Sequence, residues 1–292
     1  MQVRPSKMQH CRFKSRGTKG GLHAANRAQD GQTGHSACKW IGMLDLSSSV
    51  PSPSFKGLYV LVSGGTTGIG RAIALQLAQG GAHVFVFGRH DSELQDALKA
   101  GMGVAGSFEG MTADQSDAAA VEKVFAEVDR RFPHLDVLVN NAAVGGEDLT
   151  EETDDTITYI VQTNVCGYLY CARQAISRMK QRKAGHIINI GSVTAEKLKA
   201  GGEIYTATKS ANRAFSEAIR KSVQECGIKV TLVEPGKTGS DMIDESPEEQ
   251  REKEAALEMM KAEDVANAVC FCLTQSRRAV ITSLQIEPFR RQ

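Results

Sequence analysis

The sequence predicts an α/β fold in which a doubly wound, parallel, seven-stranded sheet forms a single domain. Three observations carry this. From Leu58 onward, short β-branched and aromatic runs alternate with helical patterns. The helical stretches are long enough to cross back over a sheet, as parallel strands require. The first strand runs directly into a glycine-rich turn that opens a helix.

The strands read as Tyr59–Ser63, His83–Phe87, Ser107–Met111, Asp136–Val139, His186–Ile190, Lys229–Val233 and Val280–Ile286. Short runs of this kind suit strands buried on both faces. Helices are predicted near 69–80, 91–100, 117–131, 155–182, 204–226 and 263–274. The charged run Glu245–Glu254 reads as a solvated helix face, and its place after the sixth strand also suits a mobile substrate lid.

The chain has 292 residues, 41% hydrophobic and 24% charged, an ordinary balance for a globular protein. Its net charge of +1 conceals an asymmetry: residues 1–42 carry eight Lys/Arg against Asp30 alone, leaving 27 basic and 33 acidic residues in the remainder. That remainder offers no basic footprint for nucleic acid. Residues 1–54 are expected to be a disordered basic leader and Ser/Pro-rich linker, with Met43 as an alternative start, and residues 55–292 the catalytic domain. The leader lacks the apolar core of a secretory signal, and no run reaches the roughly 18 apolar residues of a membrane span. The expectation is a cytoplasmic protein with no membrane partner, organellar targeting by the leader staying open. Seven cysteines scattered from Cys11 to Cys272 form no disulfide framework. Cys270 and Cys272 make a lone CxC without His or Cys partners at zinc spacing, so no metal is expected.

The turn after the first strand reads Ser63-Gly64-Gly65-Thr66-Thr67-Gly68-Ile69-Gly70. Gly64 permits the tight turn, Gly68 lets backbone amides approach a diphosphate, and Gly70 lets the helix pack close to the strand. The helix N-terminus then faces phosphate charge, as in a Rossmann-type dinucleotide site. The spacing differs from the phosphate-binding G-x-x-x-x-G-K-S/T, which argues against a P-loop NTPase.

A proton donor for carbonyl reduction is offered by Tyr205, with Lys209 four residues later on the same helix face. A phenol titrates near ~10, and a cation within a few Å lowers that by about 1 to 3 units. The expectation is therefore a Tyr205 pKa tuned downward.

In these motifs the chain resembles the short-chain dehydrogenase/reductase family, closely from about Phe55 to Met242 and loosely beyond. Ser192 stands thirteen residues before Tyr205, the spacing the family shows. The resemblance implies catalysis by Asn164, Ser192, Tyr205 and Lys209. Tyr205 would be general acid in reduction and base in oxidation, and Ser192 the donor to the developing oxyanion. Lys209 would be pKa perturber and ribose ligand, and Asn164 the holder of a water linking Lys209 to solvent. It also implies that Asp114 holds the adenine ring. Asn140-Asn141-Ala142-Ala143 resembles the family's Asn-Asn-Ala-Gly, with Ala143 replacing Gly, and Pro235, Gly236 and Thr238 match the segment that meets the nicotinamide end. Gly64, Thr66, Thr67, Gly68, Ile69, Gly70, Arg89, Asp114, Asn141, Tyr205, Lys209, Pro235, Gly236 and Thr238 make up the implied cofactor set.

The implied cofactor is NADP rather than NAD. The second strand ends in Gly88, Arg89 and His90, with no carboxylate to bind both ribose hydroxyls. Arg89 can meet a 2′-phosphate, Gly88 is expected to leave room beside it, and Asp91 to cap the next helix. The implied activity is hydride transfer between NADP(H) and a carbonyl or alcohol. A second reading is a catalytically silent NADP(H)-binding sensor or scaffold on the same fold. An epimerase or dehydratase would need a larger C-terminal substrate domain than the chain beyond Met242 supplies. The partner is a small-molecule substrate that Val144–Glu147, Val193–Glu203 and the region up to Met260 do not name; Lys197 and Lys199 are candidates to meet an acidic one. The family also implies a homodimer or homotetramer, paired through helices carrying Val165, Tyr168, Ile176, Ala207, Ala211 and Phe215.

Overall fold

The computed structural model describes residues 53–290, apart from 199, 200, 241 and 244. The expectations for the leader, Met43 and Lys199 lie outside the described residues.

Seven strands form one parallel sheet in the order β3-β2-β1-β4-β5-β6-β7. They are β1 (Tyr59–Ser63), β2 (His83–Gly88), β3 (Ser107–Thr112), β4 (Val137–Asn140), β5 (Gly185–Ile190), β6 (Ile228–Pro235) and β7 (Ser283–Ile286). The helices are α1 (Gly68–Gln79), α2 (Asp91–Ala100), α3 (Ala118–Arg131), α4 (Asp154–Val161), α5 (Gly167–Arg182), α6 (Thr194–Lys197), α7 (Glu203–Val223), α8 (Pro247–Ala255) and α9 (Ala262–Leu273).

Because side chains alternate across a strand, neighbouring residues enter different cores. Val60, Val62, Val84, Val86, Val137 and Val139 pack with α1 and α9 through Ile73, Leu77, Val265 and Val269. Leu61, Phe85, Phe87 and Leu138 pack on the other face with α3 and α5 through Val121, Phe125, Cys171 and Met179. Both faces are thus covered, as an all-parallel sheet needs. The strand order reverses between β1 and β4, which opens a crevice at their carboxyl ends.

The structure departs from the sequence expectations in three places. The predicted helix over 155–182 is interrupted by a π-turn at Gln162–Cys166, where the Gly167 amide reaches back five residues to the Gln162 carbonyl. The seventh strand starts at Ser283 rather than Val280. The charged run is, as expected of a solvated helix face, the short helix α8 with no buried residue, opened by a capping box in which Ser246 and Glu249 exchange hydrogen bonds. Asp91 does not cap α2: it is that helix's first residue, after His90 at the cap position, where its charge complements the helix dipole.

Candidate active site

A cleft of about 1100 Å³ runs along the carboxyl ends of the strands, lined from Gly64, Thr66 and Arg89 at one end to Ser192, Tyr205 and Lys209 at the other. At its floor the Ser63 Oγ accepts the backbone amides of Asn141 (3.0 Å) and Ala142 (3.2 Å). The Asn141 side chain donates to the carbonyls of Ser63 and Gly64, both at 3.1 Å. Asn141 lines the cleft, but its amide protons hold the β1 turn against β4. A Cβ on Gly64 would stand 2.7 Å from the Ala142 Cα, and one on Gly70 2.1 Å from the Gly64 carbonyl oxygen. Gly70 therefore works from behind the cleft, by close packing. Thr67 at the start of α1 makes no side-chain cap, and the first turn holds no acidic residue, so its amides are open to an anion.

Thr66, Thr67, Gly68, Ile69, Asp114, Pro235, Gly236 and Thr238 also line this cleft. Arg89 donates to the Tyr159 hydroxyl and lies 5.3 Å over its ring. That hydroxyl donates onward to Asp114 Oδ2 at 3.0 Å. Burial opposes the Asp114 charge, but hydrogen bonds from the Ser116 backbone and side chain and from Tyr159, with the Arg89 charge nearby, hold its carboxyl below the ordinary value. A Cβ at Gly88 would lie 2.4 Å from Thr66 Oγ1 and 2.9 Å from its Cγ2, so glycine there makes room for the Thr66 side chain.

At the other end Ser192 Oγ accepts the Thr194 amide (3.2 Å) and hydroxyl (2.9 Å), so its own proton is left to donate. Burial pushes the Tyr205 phenol up to about 12, against the downward expectation, with a hydrogen bond to Ser192 opposing. Lys209 is fully enclosed, and burial brings its ammonium down to about 7. Its Nζ lies 5.5 Å over the Tyr205 ring and donates to the Ile190 carbonyl at 3.0 Å.

Asn164 does not line the cleft. It is buried in the π-turn, its side chain gripping the Val144 backbone through bonds of 2.8 and 2.9 Å and donating to Thr208 at 3.2 Å. Its carbonyl accepts Asn212 Nδ2 at 3.0 Å. These bonds tie the loop after β4 to the π-turn. Tyr168 is likewise buried inside, not on an outer face for helix pairing. Lys197 lines the cleft but is ion-paired to Glu287, from a C-terminal segment whose Glu287, Pro288 and Arg290 also line it. Sequence reasoning missed that segment, together with Tyr159 and Asn212, while Thr194 falls in the Val193–Glu203 stretch expected to shape the pocket. Cys270 and Cys272 are buried thiols, pushed up by burial to about 12 and about 11.

A parallel sheet with a glycine turn at its switch point and polar groups converging beyond the strand ends defines the Rossmann-type class of α/β proteins. The short chain dehydrogenase family matches residues 58–251, and the chain belongs to that family. It is 33% identical over 222 residues to the 3-oxoacyl-(acyl-carrier-protein) reductase FabG of Haemophilus influenzae, covering 74% of this chain and 90% of that one. It is also 33% identical over 244 residues to the NADP-dependent 3-hydroxy acid dehydrogenase YdfG of Salmonella typhi, covering 79% and 95%. A solved short chain dehydrogenase from Burkholderia cenocepacia, in complex with NADP, superposes with a TM-score of 0.72 at 30% identity, covering 80% and 98%. Among the described residues no helix is long and apolar enough to cross a membrane.

Proposed function

We propose that the protein transfers a hydride between NADP(H) and a small carbonyl or alcohol substrate. The observation that carries this reading is the convergence of Ser192, Tyr205 and Lys209 on the same cleft whose far end is the open α1 N-terminus. The residues fit a dinucleotide: Gly64 and Gly70 keep the backbone where a Cβ would intrude, and the cleft has room for a dinucleotide and a small substrate. Gly64, Thr66, Thr67, Gly68 and Ile69 would hold the diphosphate, Asp114 the adenine, Arg89 the 2′-phosphate, and Pro235, Gly236 and Thr238 the nicotinamide end. The NADP in the Burkholderia relative and the NADP dependence of the Salmonella relative support that choice.

When bound, the nicotinamide supplies or accepts the hydride. The chain supplies the proton and the electrostatics. A phenol near 12 stays protonated at neutral pH, which suits Tyr205 to donate to the substrate oxygen in reduction. Ser192, its lone pairs engaged by Thr194, has one proton, which it donates to the Tyr205 oxygen in the resting protein and would turn to the developing oxyanion. Lys209 brings positive charge beside the tyrosinate that donation leaves.

The test is NADPH oxidation across ketones, keto acids, sugars and quinones. Tyr205→Phe is expected to abolish turnover while the NADPH dissociation constant stays within about a few fold, because the phenol moves a proton and adds little binding energy. Retained turnover overturns the mechanism. Tight NADPH binding by the wild type with no turnover of any compound identifies a silent sensor instead.

A further inference from the structure

Tyr168 is a fully buried titratable group in the middle of the protein, which the mechanism above does not use. It lies on α5, in a run whose other inward residues, Cys171, Ala172, Ala175 and Met179, are ordinary core. Its hydroxyl donates to the Ile190 carbonyl at 3.0 Å and accepts Lys209 Nζ at 3.4 Å, while the ammonium stands 5.4 Å from its ring centroid. Lys209 Nζ donates to the same Ile190 carbonyl. The ammonium has three protons. Two are taken up by the Ile190 carbonyl and the Tyr168 hydroxyl, which leaves the third for the cleft that Lys209 lines.

An enclosed ammonium needs acceptors, since an unpaired buried charge is costly. No carboxylate pairs with Lys209 among the described residues. The titratable groups facing it are Tyr205 on its own helix and Tyr168 on α5, with Cys171 beside Tyr168. Asn164, the residue expected to connect Lys209 to solvent, has its side chain on Val144 and Thr208 and its carbonyl on Asn212. Tyr168 is therefore the side chain in hydrogen-bond contact with the ammonium.

We infer that Tyr168 is a positioning residue, whose hydroxyl keeps Lys209 charged and aims its remaining proton into the cleft. This rests on the proposed function for its catalytic meaning but not for its test. Burial already brings Lys209 down to about 7, so its charge state at neutral pH is sensitive to one acceptor. Removing a hydrogen bond to a charged group takes more stability from the ammonium than from the neutral amine.

The test is Tyr168→Phe, which keeps the ring and removes the acceptor. In cofactor-free protein labelled with 13C-lysine, the Lys209 midpoint, assigned by loss of its signal in Lys209→Met, is expected to fall by about one unit. The alkaline limb of kcat/KM should move acidward by a similar amount. An unmoved midpoint in folded Tyr168→Phe overturns the inference, because a tyrosine that merely fills the core would not shift it. In Tyr205→Phe protein labelled at tyrosine Cζ, one tyrosine signal should still follow the Lys209 midpoint. If none does, the inference fails even where Tyr168→Phe does not fold. A shifted midpoint in a protein that turns over no carbonyl supports the pairing and overturns the proposed function.

Discussion

Replacing Arg89 with Leu separates the two nicotinamide cofactors, and the structure sets the size of the effect. In the resting protein the guanidinium is not free: it donates to the Tyr159 hydroxyl and lies over that ring. A 2′-phosphate would gain charge-assisted hydrogen bonds of about 1.5 to 3 kcal/mol, from which an exposed cation–π contact of about 0.5 to 1 kcal/mol is lost if Arg89 swings away. The net of about 0.5 to 2.5 kcal/mol corresponds to about 2- to 70-fold in affinity. Titration of cofactor fluorescence is expected to show NADPH binding weakened by that factor in Arg89→Leu, with NADH within about twofold. Equal losses for both cofactors, or a wild type that binds NADH more tightly than NADPH, would refute the assignment. A carboxylate introduced to favour NAD belongs at position 89, as Arg89→Asp. At Gly88 the new Cβ would displace Thr66, itself part of the cleft lining, and confound the measurement.

Two further outcomes follow from groups away from the cofactor. The Thr231 hydroxyl donates its proton to the Ile281 carbonyl (2.6 Å), so His186 Nε2, 2.8 Å from Thr231 Oγ1, must be the donor to that hydroxyl. Burial, with the Lys229 charge adding to it, lowers the His186 pKa from 6.5 to about 3, so the unfolded state binds the extra proton throughout that window. Stability contributed by neutral His186 is present above pH 6.5 and lost on acidification toward 3, at up to about 1.4 kcal/mol per unit. Urea unfolding from pH 7 downward should show a shallower fall in His186→Gln; an identical slope would remove His186 as the cause. The protein is also proposed to be a homodimer or homotetramer, with Val161 on α4 and Leu169 on α5, exposed at 38% and 40%, among the apolar residues covered by pairing. Light scattering should find an assembly that Val161→Glu with Leu169→Glu dissociates, and a monomeric wild type would contradict the proposal.

What the sequence made legible was whatever a short stretch of chain determines by itself. Strand alternation placed Val60 and Leu61 on opposite faces, and one strand–turn–helix unit carried the tasks of Gly64 and Gly70. The Tyr205–Lys209 pair was legible for the same reason, since helix geometry alone brings residues four apart together. Contacts set by the register of distant elements left no such mark. Tyr159 meets Arg89 across 70 residues, and Glu287 meets Lys197 across 90. Tyr168 meets Lys209 across 41, and inside an apolar helical run it reads as core until α5 and α7 are set side by side. The π-turn is of the same kind: it puts Asn164 where the Val144 backbone can be gripped, yet Thr163-Asn164-Val165 carries no breaker.

The direction of the Tyr205 shift has the same origin. A lysine four residues away argues for a lowered phenol, and that argument needs only the local sequence. The opposing effect is desolvation, which depends on how completely the assembled cleft encloses the ring. Enclosure acts on both partners in opposite directions, raising Tyr205 toward 12 and bringing Lys209 toward 7. The charge meant to lower the phenol is thus itself weakened by the burial that raises it. A hydrogen-bond acceptor that keeps the ammonium charged consequently bears on the acidity of the phenol, which is why the proposed role of the Tyr168 hydroxyl, on the far side of Lys209, extends to the pH range of the proton transfer proposed for Tyr205.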